Sequence, residues 1–211
     1  CVLDAERGRG LEAGSAPSGR AMELRVTREQ AEAAAAVLMR GGVKEGERLA
    51  ILNPGGNNAA KRWPPARFAT IARRLAEAYG LRVVLNGSPA ESGLVGEIAA
   101  AAACGCVELP KCGITVGALK AIVSTAAIMV TNDTGPRHIA AALGVPVISL
   151  FGPTDHRWTT IPAPAGEALI VADPSLPEIE FANDHPERCA IENVDEARVW
   201  SAVEAMLGLG G

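Results

Sequence analysis

Short apolar runs alternate with amphipathic helical stretches along most of this chain, and that alternation admits few folds. "LAILN" (Leu49 to Asn53) has the length of a buried strand. "PPARFATIARRLAEAYG" follows it and reads as a helix: Pro65 suits the first turn, Phe68, Ile71, Ala72 and Leu75 share a face, and Gly80 closes it. "RVVLN" (Arg82 to Asn86) is the next strand and "SGLVGEIAAAAA" the next helix. After "VELP", Thr115 starts the helix of "TVGALKAIVSTA". "IMVTN" is a strand, "PRHIAAALG" a helix closed by Gly144, and "VPVISLF" a strand. "ALIV" adds one further strand, and "VDEARVWSAVEAML" a last helix capped at Asp195. Such an order predicts βαβ units, hence a Rossmann-like α/β fold: a parallel sheet with helices on both faces.

The 211 residues fit one domain of ordinary size with a short appendage. Residues 1–24 carry "DAERGRGLEAGSAPSGRA", rich in Gly, Ala, Ser, Arg and Glu and without apolar period, which reads as a linker or interdomain tail. The folded domain is expected over residues 25–211. Its first helix should begin at Thr27, where "TREQ" makes a capping box of Thr27 with Gln30, and end near Gly41 and Gly42. The formal net charge is −4, so no basic footprint points to nucleic acid. The apolar runs are too short and too broken by Pro and Gly to span a bilayer. The first residues lack the basic-then-apolar layout of a signal peptide. Of five cysteines, Cys104, Cys106 and Cys112 cluster, but "CGC" is a poor match to zinc-ligand spacing; reduced thiols are expected.

In an open parallel sheet, ligands bind outside the carboxyl ends of the strands. Four loops leave the predicted strands at that edge: "PGGNNAAKRWP" after Asn53, "GSPAES" after Asn86, "DTGPRH" after Asn132 and "GPTDHRW" after Phe151. In "DTGPRH", Thr134 or Asp133 can cap the following helix, and Pro136 sits near its first turn. The free amides of that turn and the positive end of the helix dipole make an anion site. Gly135 lets a phosphate approach the backbone closely, and Lys61 on the neighbouring loop adds a positive charge. The competing uses are plain: capping for Asp133 and Thr134, and a backbone-satisfied helix face for His138. Trp63 and Pro64 are expected to be structural, and Arg137 solvated. A lone "DTG" leading into a helix is not an aspartic-protease pair. "PGGNNAAK" lacks the second glycine and hydroxyl of a P-loop. No D-x-D pair is present to bridge a metal to a diphosphate, so neither a metal nor another cofactor is expected.

The elements "NPGG…KRWPPARFA", "NGSPAE", "TNDTGPRHIAAALGVPVISLFGPT" and "CAIENVDEARVWSAV" stand in an order and spacing that resembles the family-9 glycosyltransferases, the ADP-heptose:lipopolysaccharide heptosyltransferases and their relatives. The resemblance runs over roughly residues 45 to 207. It implies a GT-B enzyme, with two Rossmann-like domains facing across a cleft, that inverts the anomeric centre without a metal. This chain looks like its C-terminal, donor-binding half. By that resemblance Lys61 would contact the donor phosphate, Glu91 the ribose, and the segment around Ile114 the base. Asp133 would bind sugar hydroxyls, and Thr134, Gly135 and His138 the diphosphate. The donor would be ADP-heptose or a related nucleotide-diphospho-sugar. The acceptor, a glycolipid or lipopolysaccharide core, would be held by an N-terminal domain that also carries the family's general base. No catalytic residue is therefore assigned in this chain, which is expected to be inactive alone. A cytoplasmic location, free or peripheral at the inner membrane, would follow. Gly56 and Asn57 stand where some heptosyltransferases carry a threonine pair. The alternatives are a non-catalytic nucleotide-binding module, or another GT-B enzyme such as a nucleotide-sugar epimerase, which would need cleft carboxylates from among Glu91, Asp133 and Asp155.

Overall fold

The computed structural model describes residues 24–208; the expected linker of residues 1–24 lies almost wholly outside them. The strands are β1 (Leu49–Asn53), β2 (Arg82–Leu85), β3 (Val107–Glu108), β4 (Ala126–Asn132), β5 (Val147–Phe151) and β6 (Glu167–Val171). The helices are α1 (Arg28–Arg40), α2 (Pro65–Tyr79), α3 (Ser92–Ala102), α4 (Val116–Val123), α5 (Gly135–Ala142) and α6 (Glu196–Gly208). All strand pairs are parallel, and the sheet order is β3-β2-β1-β4-β5-β6. This is the doubly wound order, whose direction reverses between β1 and β4.

The strands read as continuous apolar runs because both faces are covered. On one face Ala50, Leu52, Val83, Leu85, Ile128 and Val130 meet the inner sides of α2, α3 and α6. On the other, Leu49, Ile51, Val84, Met129 and Val147 meet α1, α4 and α5. The end signals act as the sequence predicts. Thr27 and Gln30 form the capping box of α1. Pro65 opens α2 and Gly80 closes it in the left-handed region. The Thr115 hydroxyl accepts from the Ala118 amide, and the Asp195 carboxylate from that of Ala197. One strand went unread: Val107 and Glu108, within "VELP", pair with β2 as a two-residue edge strand, too short to show a period.

Trp63 is buried at the entry to α2, edge-on to Phe68, and its indole N–H donates to the Val194 carbonyl at 3.0 Å. It is structural, as expected. Cys104, Cys106, Cys112 and Cys189 are free thiols. The Sγ atoms of Cys104 and Cys106 lie 3.4 Å apart, and burial together with that neighbour pushes the Cys106 thiol up to about 12. No helix among the described residues is long and apolar enough to cross a membrane.

Candidate functional site

At the topological switch point the loops after β1, β2 and β4 part and leave a cleft of about 590 Å³. Its floor is polar and built from the strand ends. Asn86 donates to Asn53 Oδ1 at 2.6 Å; Asn53 donates to the hydroxyls of Thr131 (3.0 Å) and Thr134 (2.8 Å). Asn132 donates to the Pro54 carbonyl at 2.7 Å and accepts from the Trp63 amide at 3.2 Å. These three asparagines are buried and bonded, so they tie β1, β2 and β4 together just beneath the ligand edge. Reading the sequence loop by loop missed them, although β1 and β4 end on an asparagine and β2 is followed directly by one, and that repeat was a usable signal.

Lys61, Glu91, Ile114, Asp133, Thr134 and Gly135 all line this cleft. His138 does not; it sits half-buried one turn further along α5. Ile114 contributes an apolar part of the lining together with Val116 and Leu119 at the start of α4. Lys61 closes a single 3-10 turn, Ala59–Lys61, capped by the Asn58 side chain, and its Nζ lies 3.2 Å from Asp133 Oδ2.

The expected capping of α5 is not what the chain does. Thr134 occupies the N-cap position in extended conformation, but no side chain caps the helix. Its hydroxyl turns to the floor, accepting from Asn53 and donating to the Asn132 carbonyl at 3.3 Å. Asp133 points to the cations instead. The amide end of α5 is thus left without a side-chain acceptor, at the positive end of the helix dipole. Gly135 is exposed, and a Cβ added there would meet nothing within 4 Å. Protein packing therefore does not demand this glycine; open space lies in front of it.

Glu91 is tied into its own loop. One carboxylate oxygen accepts from the Gly56 amide at 2.8 Å, the other from the Ser88 amide and hydroxyl, each at 2.8 Å. Burial works to raise its pKa, but these hydrogen bonds, with Arg62 nearby, outweigh it and hold the carboxyl below its ordinary range. A Cβ on Gly55 would run into this carboxylate, so Gly55 is what lets the loops after β1 and β2 close on each other.

Arg137 is not solvated. It is 0% exposed, wedged between α5 and the sheet. Its guanidinium forks onto Glu167 at 2.6 and 3.1 Å, and donates to Ser149 Oγ at 3.1 Å and the Thr159 carbonyl at 2.7 Å. It stacks over Phe151 at 4.8 Å and reaches Asp133 Oδ1 at 3.4 Å. The physical reason is helix geometry. In the first turn of an eight-residue helix lying on the sheet, position 137 faces inward, and Ser149 and Glu167 supply the partners a buried guanidinium needs.

Asp155 stands apart from the cleft. It is buried beside a second cavity of about 370 Å³ near the ends of β5 and β6. Arg157 grips its carboxylate at 2.6 and 2.8 Å, and the Ala182 amide donates to it at 3.1 Å. The Arg157 guanidinium holds this carboxyl far below the usual range, so it is a spent ion-pair partner.

A doubly wound parallel sheet of this order, with its cleft at the switch point, defines an α/β domain of the GT-B type. The model of Glycosyltransferase family 9 (heptosyltransferase) matches residues 9–187, and the chain belongs to that family. It is 35% identical over 117 residues to lipopolysaccharide heptosyltransferase 3 of Escherichia coli, covering 53% of this chain and 33% of that protein. It is 39% identical over 100 residues to lipopolysaccharide heptosyltransferase 1 of Pseudomonas aeruginosa, covering 47% and 27%. The fold is similar to that of E. coli ADP-heptose lps heptosyltransferase II, with a TM-score of 0.71, 24% identity, and coverage of 89% of this chain and 54% of that one. A family-9 glycosyl transferase from Veillonella parvula gives 0.70, 23%, 90% and 54%. The chain spans about a third of the length of the curated relatives it matches.

Proposed function

We propose that this chain is the donor-binding half of an inverting heptosyltransferase, and that its cleft holds a nucleotide-diphospho-sugar, ADP-heptose or a close relative. The observation that carries this reading is the meeting of Lys61, Asp133 and the uncapped amide end of α5 at one point of the switch-point cleft. The diphosphate sits against α5 before Gly135 and takes the Lys61 ammonium; the adenine lies on the Ile114 wall; the sugar reaches Asp133. His138, the fourth residue of α5, does not line the cleft, and the diphosphate is held without it. Glu91 shapes the ribose end, chiefly by holding the loops after β1 and β2.

The charge of the diphosphate is met by Lys61 and amides rather than by a metal. The two carboxylates that line the cleft, Asp133 and Glu91, are both already engaged by protein donors. In transfer, an acceptor hydroxyl attacks the anomeric carbon from the face opposite the diphosphate. The new C–O bond forms as the bond to the diphosphate breaks with its electron pair, and a base takes the hydroxyl proton. That base and the acceptor site, for a lipopolysaccharide core or related glycolipid, belong to the other half of the enzyme. The protein acts in the cytoplasm, at or near the inner membrane.

Titration calorimetry with ADP tests the reading. The chain is expected to bind ADP equally with and without EDTA, and Lys61→Ala is expected to weaken binding about tenfold or more, the loss of one charge-assisted hydrogen bond. Binding that vanishes with chelator, or that ignores Lys61→Ala, would refute it.

A further inference from the structure

Two cations share the Asp133 carboxylate, and they are not equivalent. Lys61 reaches Oδ2 from a loop with its side chain one-quarter exposed to the cleft. Arg137 approaches Oδ1 from beneath, with no exposed surface. We propose that Arg137 is a positioning residue that keeps Asp133 fixed while Lys61 leaves it, and so makes the site prefer a nucleotide-diphospho-sugar over the bare nucleotide diphosphate. The inference rests on the donor reading above and adds to it a residue that touches no ligand.

An incoming diphosphate offers the Lys61 ammonium more negative charge than one carboxylate does, and among the described residues only Asp133 holds that ammonium. Arg137 cannot follow. Its Nε and Nη2 are committed to Glu167, its Nε also to Ser149, and its Nη1 to the carbonyl and hydroxyl of Thr159. The Thr159 hydroxyl is itself 3.4 Å from Asp133 Oδ1. One oxygen of Asp133 is thus anchored on its buried side. The other, once Lys61 has turned to phosphate, is a free acceptor facing the cleft, where a sugar hydroxyl can donate to it. Without the anchor, a departing Lys61 would leave Asp133 free to rotate, and the sugar would lose a fixed partner. Glu167, at the amino end of the edge strand β6, enters the site through this relay although it lines no part of the cleft.

The rival account is that Arg137 and Glu167 merely fill a polar gap between α5 and the sheet. A double variant, Arg137→Met with Glu167→Gln, removes both charges without stranding either. Calorimetry on the full chain would compare ADP with ADP-heptose. The expected result is ADP affinity within about threefold of wild type and ADP-heptose affinity reduced about tenfold or more. Thr159→Val, which leaves the ion pair intact and removes one contact to Asp133, should lower the same ratio by a smaller factor; it carries the test if the double variant fails to fold. Parallel losses for both ligands in a folded variant, or an unchanged ratio, would overturn the positioning role and leave the donor reading standing. A wild-type chain that binds neither ligand would bring down both.

Discussion

Gly135 gives the sharpest single-residue test of the site. An alanine there meets no protein atom within 4 Å and would improve helix propensity. Gly135→Ala should therefore leave thermal stability unchanged or slightly raised, while nucleotide-diphosphate binding falls severely because the methyl stands where the proposed pose brings phosphate to the amide. Unchanged affinity would place the phosphate elsewhere. Glu91 makes a prediction in pH. Its folded pKa is held below the ordinary 4.5, so its hydrogen bonds contribute stability above that value and lose it as pH falls through the folded pKa. Glu91→Gln should destabilise at neutral pH, and its difference from wild type should shrink as the solution is taken below about pH 4.5, followed by chemical denaturation at each pH. Arg137→Met by itself strands a buried carboxylate and should cost about 3–5 kcal/mol; adding Glu167→Gln should recover most of it. Equal melting temperatures for the single and double variants would show that the Glu167 contact carries no such cost.

Among the elements, the return from β5 is where a glycine of the described residues lies tightest against backbone. A Cβ on Gly152 would lie 2.5 Å from the Cys189 carbonyl oxygen and 2.9 Å from the Ile191 backbone, neither of which is a flexible side chain. Gly152→Ala should cost about 1–3 kcal/mol by forcing that backbone aside, read as a lower midpoint in urea, and it should loosen the docking of α6, which begins just beyond. The loop after β5 was expected to share the ligand edge with the others, and in topology it does. In space it feeds a separate cavity, because Asp155 folds back onto Arg157 and the Ala182 amide. Most helices and strands were legible because each carries its own punctuation: Thr27 and Gln30, Pro65, Gly80, Thr115 and Asp195. There were two exceptions. A two-residue edge strand has no period to read, and α5 is uncapped because Asn53, 81 residues earlier in the chain, claims the Thr134 hydroxyl.

For the molecule as a whole, the proposed function makes this chain one wall of a GT-B cleft. On that reading the chain by itself is expected to bind donor nucleotide and to transfer no sugar, because the groups at its ligand edge would be committed: Lys61 to phosphate, Asp133 to sugar, while Glu91 is held by its loop. Without a facing wall, water also stays in the site and the orientation that makes transfer fast is lost, a factor worth several kcal/mol, at most about 7–11. The assay is ADP-heptose with a deacylated lipopolysaccharide core, with and without an acceptor domain supplied in trans. Turnover by the chain alone, abolished by Asp133→Asn, would make Asp133 the base.

The alternation of apolar strands and amphipathic helices was enough to specify a parallel, doubly wound sheet, since that pattern can bury both faces in few other ways. It also put Lys61, Glu91, Asp133, Thr134 and Gly135 at one edge, because loops leaving parallel strands all emerge on the same side. Which way each side chain turns within that edge depended on partners far away in the chain. Arg137 looked like any surface arginine until Ser149, Thr159 and Glu167 came around it. Asp155 looked like a cleft acid until Arg157 and Ala182 took it. A charged side chain in a loop reads the same whether solvated or buried; the difference is made by whether folding brings enough hydrogen-bond partners to offset its dehydration, and those partners are set by tertiary packing.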